Sequence, residues 1–259
     1  MNQKGIAPII GLIVIVVAAV FIYSYSTGKG SGNIIEEARE VSGFSKIELN
    51  GVGNLIINQS GNESLRIEAE DNLIGKIVTE VDNGTLKIRE SKNWVNWSFW
   101  PTKDVNFYLT VENIESVTIN GSGSVTGDNI VADKFDLIIS GSADGEVVLD
   151  INELNSNING SGELIMAGSA ATQKFTISGS GKYRAGELAG QSAEVIINGS
   201  GQAIVNVADQ LTVDISGSGD VQYLGSPNIN QSISGSGSIS QLKSSSSDEE
   251  SENELETTE

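Results

Sequence analysis

The chain has 259 residues, and its 15 Lys plus Arg stand against 34 Asp plus Glu, a formal charge of −19. That balance excludes a basic face for nucleic acid and excludes charge-driven docking on an anionic membrane. There is no cysteine and no histidine, which excludes disulfides, thiol nucleophiles, Cys or His metal sites and imidazole acid–base chemistry. Glycine is plentiful at 30 and proline scarce at 3, a composition that suits many tight turns rather than a disordered linker.

The first element is apolar. Ile6 to Tyr23 reads IAPIIGLIVIVVAAVFIY without a charge. At helical rise, that run spans roughly 27 Å, close to the hydrocarbon thickness of a bilayer. Pro8 sits in the first turn, where a missing N–H costs least. Lys4 precedes the run, and Lys29 and Arg39 follow it, so the flanking charges give only a weak orientation. Residues 1–28 are expected to be a signal anchor that crosses the cytoplasmic membrane once, through 6–23, with the bulk of the chain exported. Two other fates stay open. Ser24-Tyr25-Ser26 is a small-x-small pattern that suits cleavage. Lys4-Gly5-Ile6 resembles the processing site of pilin-like and archaellin-like precursors, although Ile10 stands where the bacterial form has Glu. The absence of cysteine excludes a lipoprotein.

Residues 29–43 are expected to be a linker, and 44–116 a β region capping the repeats of 117–242. Leu65-Arg66-Ile67-Glu68-Ala69 alternates apolar and polar. Ile77–Val81 and Leu86–Ile88 flank Asp82-Asn83-Gly84-Thr85, a tight-hairpin signal. Val105–Val111 reads as another strand. All three tryptophans fall in Trp94-Val95-Asn96-Trp97-Ser98-Phe99-Trp100-Pro101. Trp94, Trp97, Phe99 and Trp100 are the candidate ligand contacts, for a glycan, a protein partner or the membrane interface. The competing reading makes them a hydrophobic lid on the start of the repeats.

Residues 117–242 repeat. Gly-Ser-Gly, or Gly-Ser-Ala once, begins at Gly121, Gly141, Gly160, Gly179, Gly199, Gly217 and Gly235. The spacings are 20, 19, 19, 20, 18 and 18 residues. Each triplet follows an Ile and a small polar residue, as in Ile177-Ser178, and a degenerate copy appears at Leu49-Asn50-Gly51-Val52-Gly53. So short a unit fits neither a helix pair nor a propeller blade; it fits one coil of a parallel β-solenoid. The triplet is then the corner, and the Ser or Asn before it is expected to form a hydrogen-bonded ladder from coil to coil. The seven isoleucines from Ile119 to Ile233 are expected to form one internal ladder. Six or so coils are expected, right-handed as parallel crossovers are by default. The fold class is therefore all-β, a single-stranded parallel β-helix with an N-terminal β cap, preceded by one transmembrane helix. Residues 243–259 hold seven acids in SSSSDEESENELETTE and are expected to form a disordered acidic tail.

The pattern Phe44-x-x-Ile47-x-Leu49-x-Gly51-x-Gly53, then Thr79–Leu86, then the I-S/N-G-S-G ladder resembles the head GIN domain family (DUF2807), the putative auto-transporter adhesins. Val221-Gln222-Tyr223-Leu224-Gly225-Ser226-Pro227 matches that family's late Tyr-x-Gly-x-Pro signature. The resemblance spans about Phe44 to Leu242. It implies a parallel β-helix exposed outside the membrane, and it brings no catalytic residues.

No catalytic residue, metal ligand or cofactor is expected. Asp128, Asp133, Asp144 and Glu146 are dispersed, and no calcium-binding nonapeptide or D-x-D-x-D-G is present. Aligned on the corners, Asp144, Glu163 and Lys182 form the most catalytic-looking column; a solvated charge ladder is the plainer reading. Sequons such as those at Asn120, Asn159 and Asn198 are by-products of the repeat. The expected function is non-catalytic adhesion or recognition by a membrane-anchored extracytoplasmic β-helix, with the membrane and a surface glycan or protein as the expected partners. The alternatives are a carbohydrate-active enzyme on the same scaffold and an envelope structural or sensory module.

Overall fold

A computed structural model describes residues 28–91 and 100–242. The strands in chain order are β1 (Ile34–Arg39), β2 (Lys46–Gln59), β3 (Ser64–Glu70), β4 (Ile77–Asp82), β5 (Thr85–Glu90), β6 (Asn106–Val111) and β7 (Ser116–Gly160). Then come β8 (Glu163–Gly179), β9 (Lys182–Gly199), β10 (Gln202–Gly217), β11 (Asp220–Leu224), β12 (Asn228–Gly235) and β13 (Ser238–Gln241). From β7 to β13 the strands pair in parallel, each coil lying on the one before it. The repeat region is a β-solenoid.

The corner explains the period. Gly160 pairs with Gly179, Gly179 with Gly199, Gly199 with Gly217 and Gly217 with Gly235, all in register. Gly179 is representative, with φ +127° and the position of an added Cβ only 2.5 Å from the Gly160 carbonyl oxygen. Only a residue without a side chain fits so close an approach at that backbone angle. The hydrogen bonds at the corner belong to the backbone. The N–H of the middle Ser donates to the preceding coil's glycine: Ser180 to Gly160 at 2.9 Å, Ser200 to Gly179 at 2.9 Å, Ser218 to Gly199 at 2.8 Å. The expected side-chain ladder is corrected accordingly. In that column among the described residues only Asn120 donates to the coil before it, to Asn50 at 2.9 Å. The later Ser and Asn side chains face solvent, because the backbone already supplies the coil-to-coil bonds.

Alternation fills the bore. Ile119, Ile139, Ile158, Ile177, Ile197 and Ile215 are fully buried, and adjacent coils bring them into register. Ile233 departs from the expected ladder, remaining 38% exposed. It lies in β12, whose one partner is β10, so no further coil among the described residues covers it. Tyr183 puts a polar atom in the bore. Its hydroxyl donates to Ser156 Oγ at 2.7 Å, and Ser156 in turn donates to the Leu137 carbonyl at 3.2 Å. Its ring lies 4.6 Å from that of Phe175. The unequal repeat lengths are absorbed by register shifts between Ile165 and Ala167, between Val205 and Asn206, and between Val207 and Gln210.

The solenoid begins earlier than residue 117. β2 pairs in parallel with β7, Gly51 facing Gly121 and Gly53 facing Gly123, so the degenerate copy is a true corner. On its other side β2 receives β5 and β6 in parallel. β3 then lies antiparallel on β6, β1 antiparallel on β3, and β4 antiparallel on β5. The β4–β5 turn has φ +50° at Asn83 and +75° at Gly84, the two left-handed residues that a type I′ turn requires. The linker expected over 29–43 is also corrected, since Ile34–Arg39 is β1 and pairs with β3 over six positions. The described residues contain no helix long and apolar enough to cross a membrane. The 6–23 run and the tail 243–259 lie outside the described residues.

Candidate functional site

The start of the described chain is built into the domain by side chains from one turn. Glu70, at the end of β3, is 1% exposed. Its carboxylate accepts from the Gly32 N–H at 2.6 Å, from the Thr102 N–H at 2.8 Å and from the Thr102 hydroxyl. Gly30 packs against the same carboxylate with no room for a Cβ. Burial pushes the Glu70 pKa up, but the donors of Thr102, Gly32 and Lys103 outweigh it and hold the group below its ordinary 4.5. The next two residues continue the grip. Asp71 accepts from the Ser31 hydroxyl and from Asn33 Nδ2 at 2.9 Å. Asn72 donates to the Lys29 carbonyl at 2.8 Å and accepts from the Ser31 N–H at 3.0 Å.

Trp100 belongs to the same arrangement. Its N–H donates to the Gly28 carbonyl and its carbonyl accepts from the Gly30 N–H, both at 2.9 Å. Lys29 and Trp100 form a parallel bridge. The Trp100 side chain is 58% exposed. Of the four candidate contact residues it is the one that the structure describes; Trp94, Trp97 and Phe99 lie outside the described residues.

The Asp144, Glu163 and Lys182 column is formed, as corner alignment requires. Asp144 accepts from the Glu163 N–H at 2.9 Å, and Glu163 faces Lys182 across β8 and β9. The Glu163 carboxylate nevertheless binds Arg184, two residues further along, rather than Lys182. Asp144, Lys182 and Arg184 are exposed. A carboxylate spent on an arginine in water is poorly placed for proton transfer. Among the described residues no group of three acidic side chains converges on a possible metal position.

Among the described residues, two of the shallow grooves run across the coils. One, of about 510 Å³, is lined by Lys134, Glu153, Thr172, Lys174 and Glu194. Salt bridges join neighbouring coils there, Lys134 to Glu153 at 2.9 Å and Lys174 to Glu194 at 2.8 Å. The other, of about 400 Å³, presents Lys182, Arg184, Gln202, Asp220, Gln222 and Ser238. Both are strips of hydrogen-bonding side chains on the outside of a filled bore. Sequence reasoning missed them because each coil supplies one or two members, some 18 to 20 residues apart.

The putative auto-transporter adhesin, head GIN domain (DUF2807) profile matches residues 43–227. The chain belongs to this family. Solved structures agree with the family fold. A putative adhesin from Bacteroides fragilis is 26% identical with a TM-score of 0.77, the match covering 83% of this chain and 99% of that one. A putative lipid binding protein from Parabacteroides distasonis is 27% identical with a TM-score of 0.68, over 83% and 99% of the two chains. A putative adhesin from Parabacteroides merdae, 22% identical with a TM-score of 0.66 over 83% and 98%, shares the fold. No curated protein matches the chain. The family match covers the corners from Gly51 to Gly217, the hairpin and the Tyr-x-Gly-x-Pro segment, and ends before the corner at Gly235.

Proposed function

We propose that this DUF2807 protein is a non-catalytic adhesion or recognition module, tethered by 6–23 in the cytoplasmic membrane with its solenoid on the extracytoplasmic side. The observation that carries the reading is the architecture of the surface. A stack of coils presents strips of polar side chains in regular rows, and along the grooves Lys134, Lys174 and Arg184 pair across coils with Glu153, Glu194 and Glu163 instead of converging in a cleft. A glycosidase would need two carboxylates roughly 5 to 10 Å apart and free to exchange protons. Here the neighbouring pair Asp144 and Glu163 is committed to a backbone N–H and to Arg184. The apolar run and the family's adhesin description support an exported, tethered protein.

The relative named a lipid binding protein favours a second reading, a lipid ligand. The bore argues against an enclosed acyl chain, since it is packed with side chains from Ile47 through Val221. Lipid contact would then be made at the surface.

The test is a glycan array probed with the full-length protein in mild detergent. Binding that falls in Lys182→Ala/Gln222→Ala, with the circular dichroism spectrum unchanged, is the expected result. Turnover of any polysaccharide that disappears in Asp144→Asn or Glu163→Gln would overturn the non-catalytic reading.

A further inference from the structure

We propose that the N-terminal end of the solenoid, at Trp100 and β1, lies on the same lipid surface that holds the 6–23 run. The rod is then fixed by two membrane contacts instead of swinging from one. This rests on the tether reading and goes beyond it, because a tether alone leaves the domain free to tumble.

Chain length makes the first argument. Gly28 is five residues beyond Tyr23, the last residue of the apolar run. Five residues, fully extended, reach at most about 17 Å. A headgroup layer is itself roughly 5 to 8 Å thick. Gly28 therefore stays within about one domain radius of the interface, and nothing beyond it acts as a spacer. Residues 29–33 are gripped by Glu70, Asp71 and Asn72, and Trp100 is bonded to Gly28 and Gly30 through its backbone. The tryptophan is thus pinned where the chain leaves the bilayer.

The surface makes the second argument. Trp100 is the most exposed large apolar side chain among the described residues, at 58%, and Ile34 and Ile35 on the neighbouring edge strand are each 39% exposed. Ile34 faces Glu70 across β1 and β3, and Glu70 binds Thr102, so these apolar groups occupy one end of the molecule. Indole is the side chain best suited to the water–lipid boundary, with an apolar body and one N–H for the wet side. Lys29 and Lys103 flank Trp100 and are exposed. Glu70, Asp71 and Asp104 lie at the same end, the first two engaged with donors from 31–33 and Thr102, and on β1 itself Glu36 is paired with Arg66 at 2.6 Å and Glu37 with Arg39 at 3.3 Å. With the net charge at −19, attraction to anionic lipid is not the driving force. The contact is apolar and should resist added salt.

The experiment uses the full-length protein in phosphatidylcholine vesicles, with and without brominated acyl chains. Trp94→Phe/Trp97→Phe leaves Trp100 as the sole tryptophan. Flotation with the vesicles, together with loss of Trp100 emission in brominated lipid that persists at high salt and is relieved by Ile34→Glu/Ile35→Glu, is the expected result. Flotation with unquenched, water-like emission would overturn the docking while leaving the tether intact. Failure to float would remove the tether reading and this inference with it. Protection of Trp100 from an aqueous quencher by soluble oligosaccharide, and not by vesicles, would assign the end to a glycan and also overturn the proposal.

Discussion

Gly179→Ala tests whether the corner column sets the fold. The backbone there has φ +127°, and the new Cβ would lie 2.5 Å from the Gly160 carbonyl oxygen and 3.3 Å from its carbon. That oxygen also accepts the Ser180 N–H at 2.9 Å, so it cannot swing away without losing a bond. Holding a residue with a side chain in a glycine-only conformation costs about 1 to 3 kcal/mol. Forcing an extra methyl against a packed backbone costs about 1 to 3 kcal/mol more. The expected destabilisation is therefore about 4 kcal/mol. Two controls separate the causes. Gly43→Ala has φ +76° with nothing within 4 Å and should cost only the conformational part, about 1 to 2 kcal/mol. Gly75→Ala has open space and no left-handed backbone, so it should lie within about 0.5 kcal/mol of the parent. Urea unfolding followed by far-ultraviolet circular dichroism, at a common m value, measures all three. A Gly179→Ala midpoint equal to that of Gly43→Ala would refute the claim that close coil-to-coil approach is what demands glycine.

Three further outcomes rest on the packing and the charges. Ile177→Asp should unfold the solenoid, because an unpaired buried charge costs several kcal/mol. Ile233→Asp should be tolerated within about 1 kcal/mol, since that side chain is 38% exposed; comparing melting curves of the two variants decides it. Tyr183→Phe should cost about 1 kcal/mol by the same unfolding measurement, losing one buried hydrogen bond while Ser156 keeps its bond to Leu137. The Glu70 clamp should weaken in acid. A carboxyl whose pKa is lowered on folding contributes its full stability above its unfolded value, near 4.5, and loses that contribution as pH falls through the lowered one. Protection from hydrogen exchange at residues 29–33 and 100–103, measured against the intrinsic rate at each pH, should therefore fall selectively below about pH 4.5, and uniform behaviour across the domain would count against the clamp.

The solenoid was legible because its cause is periodic. The same steric demand recurs at Gly160, Gly179, Gly199 and Gly217, so the sequence repeats it. The coil ends carry no such signal. Ile233 stands in the same local context as Ile177, and it is exposed because among the described residues β12 has a neighbouring coil on one side alone. β1 was hidden for a different reason. Glu36, Glu37 and Arg39 look like linker residues, yet an edge strand needs one partner and tolerates charged side chains, which here pair as Glu36 with Arg66 and Glu37 with Arg39. The clamp was invisible because Glu70, Asp71 and Asn72 meet residues about 40 positions away, with no spacing to betray them. The Glu163 to Arg184 pair, offset from the aligned column, shows that corner alignment fixes backbone register and not where a long side chain ends.

Because each coil touches only the coils beside it, the molecule is in effect a ruler marked in strand spacings. Duplicating or deleting one unit of 18 to 20 residues would change the separation between the clamp at Glu70 and the last rung at β12 by about 4.8 Å. Neither terminus would need redesign, since the in-register glycine corners accept any neighbour of the same kind. Height is thus a quantity that natural sequence variation can adjust in discrete increments. Relatives differing by whole coils would carry their distal surfaces at different elevations above whatever holds the first.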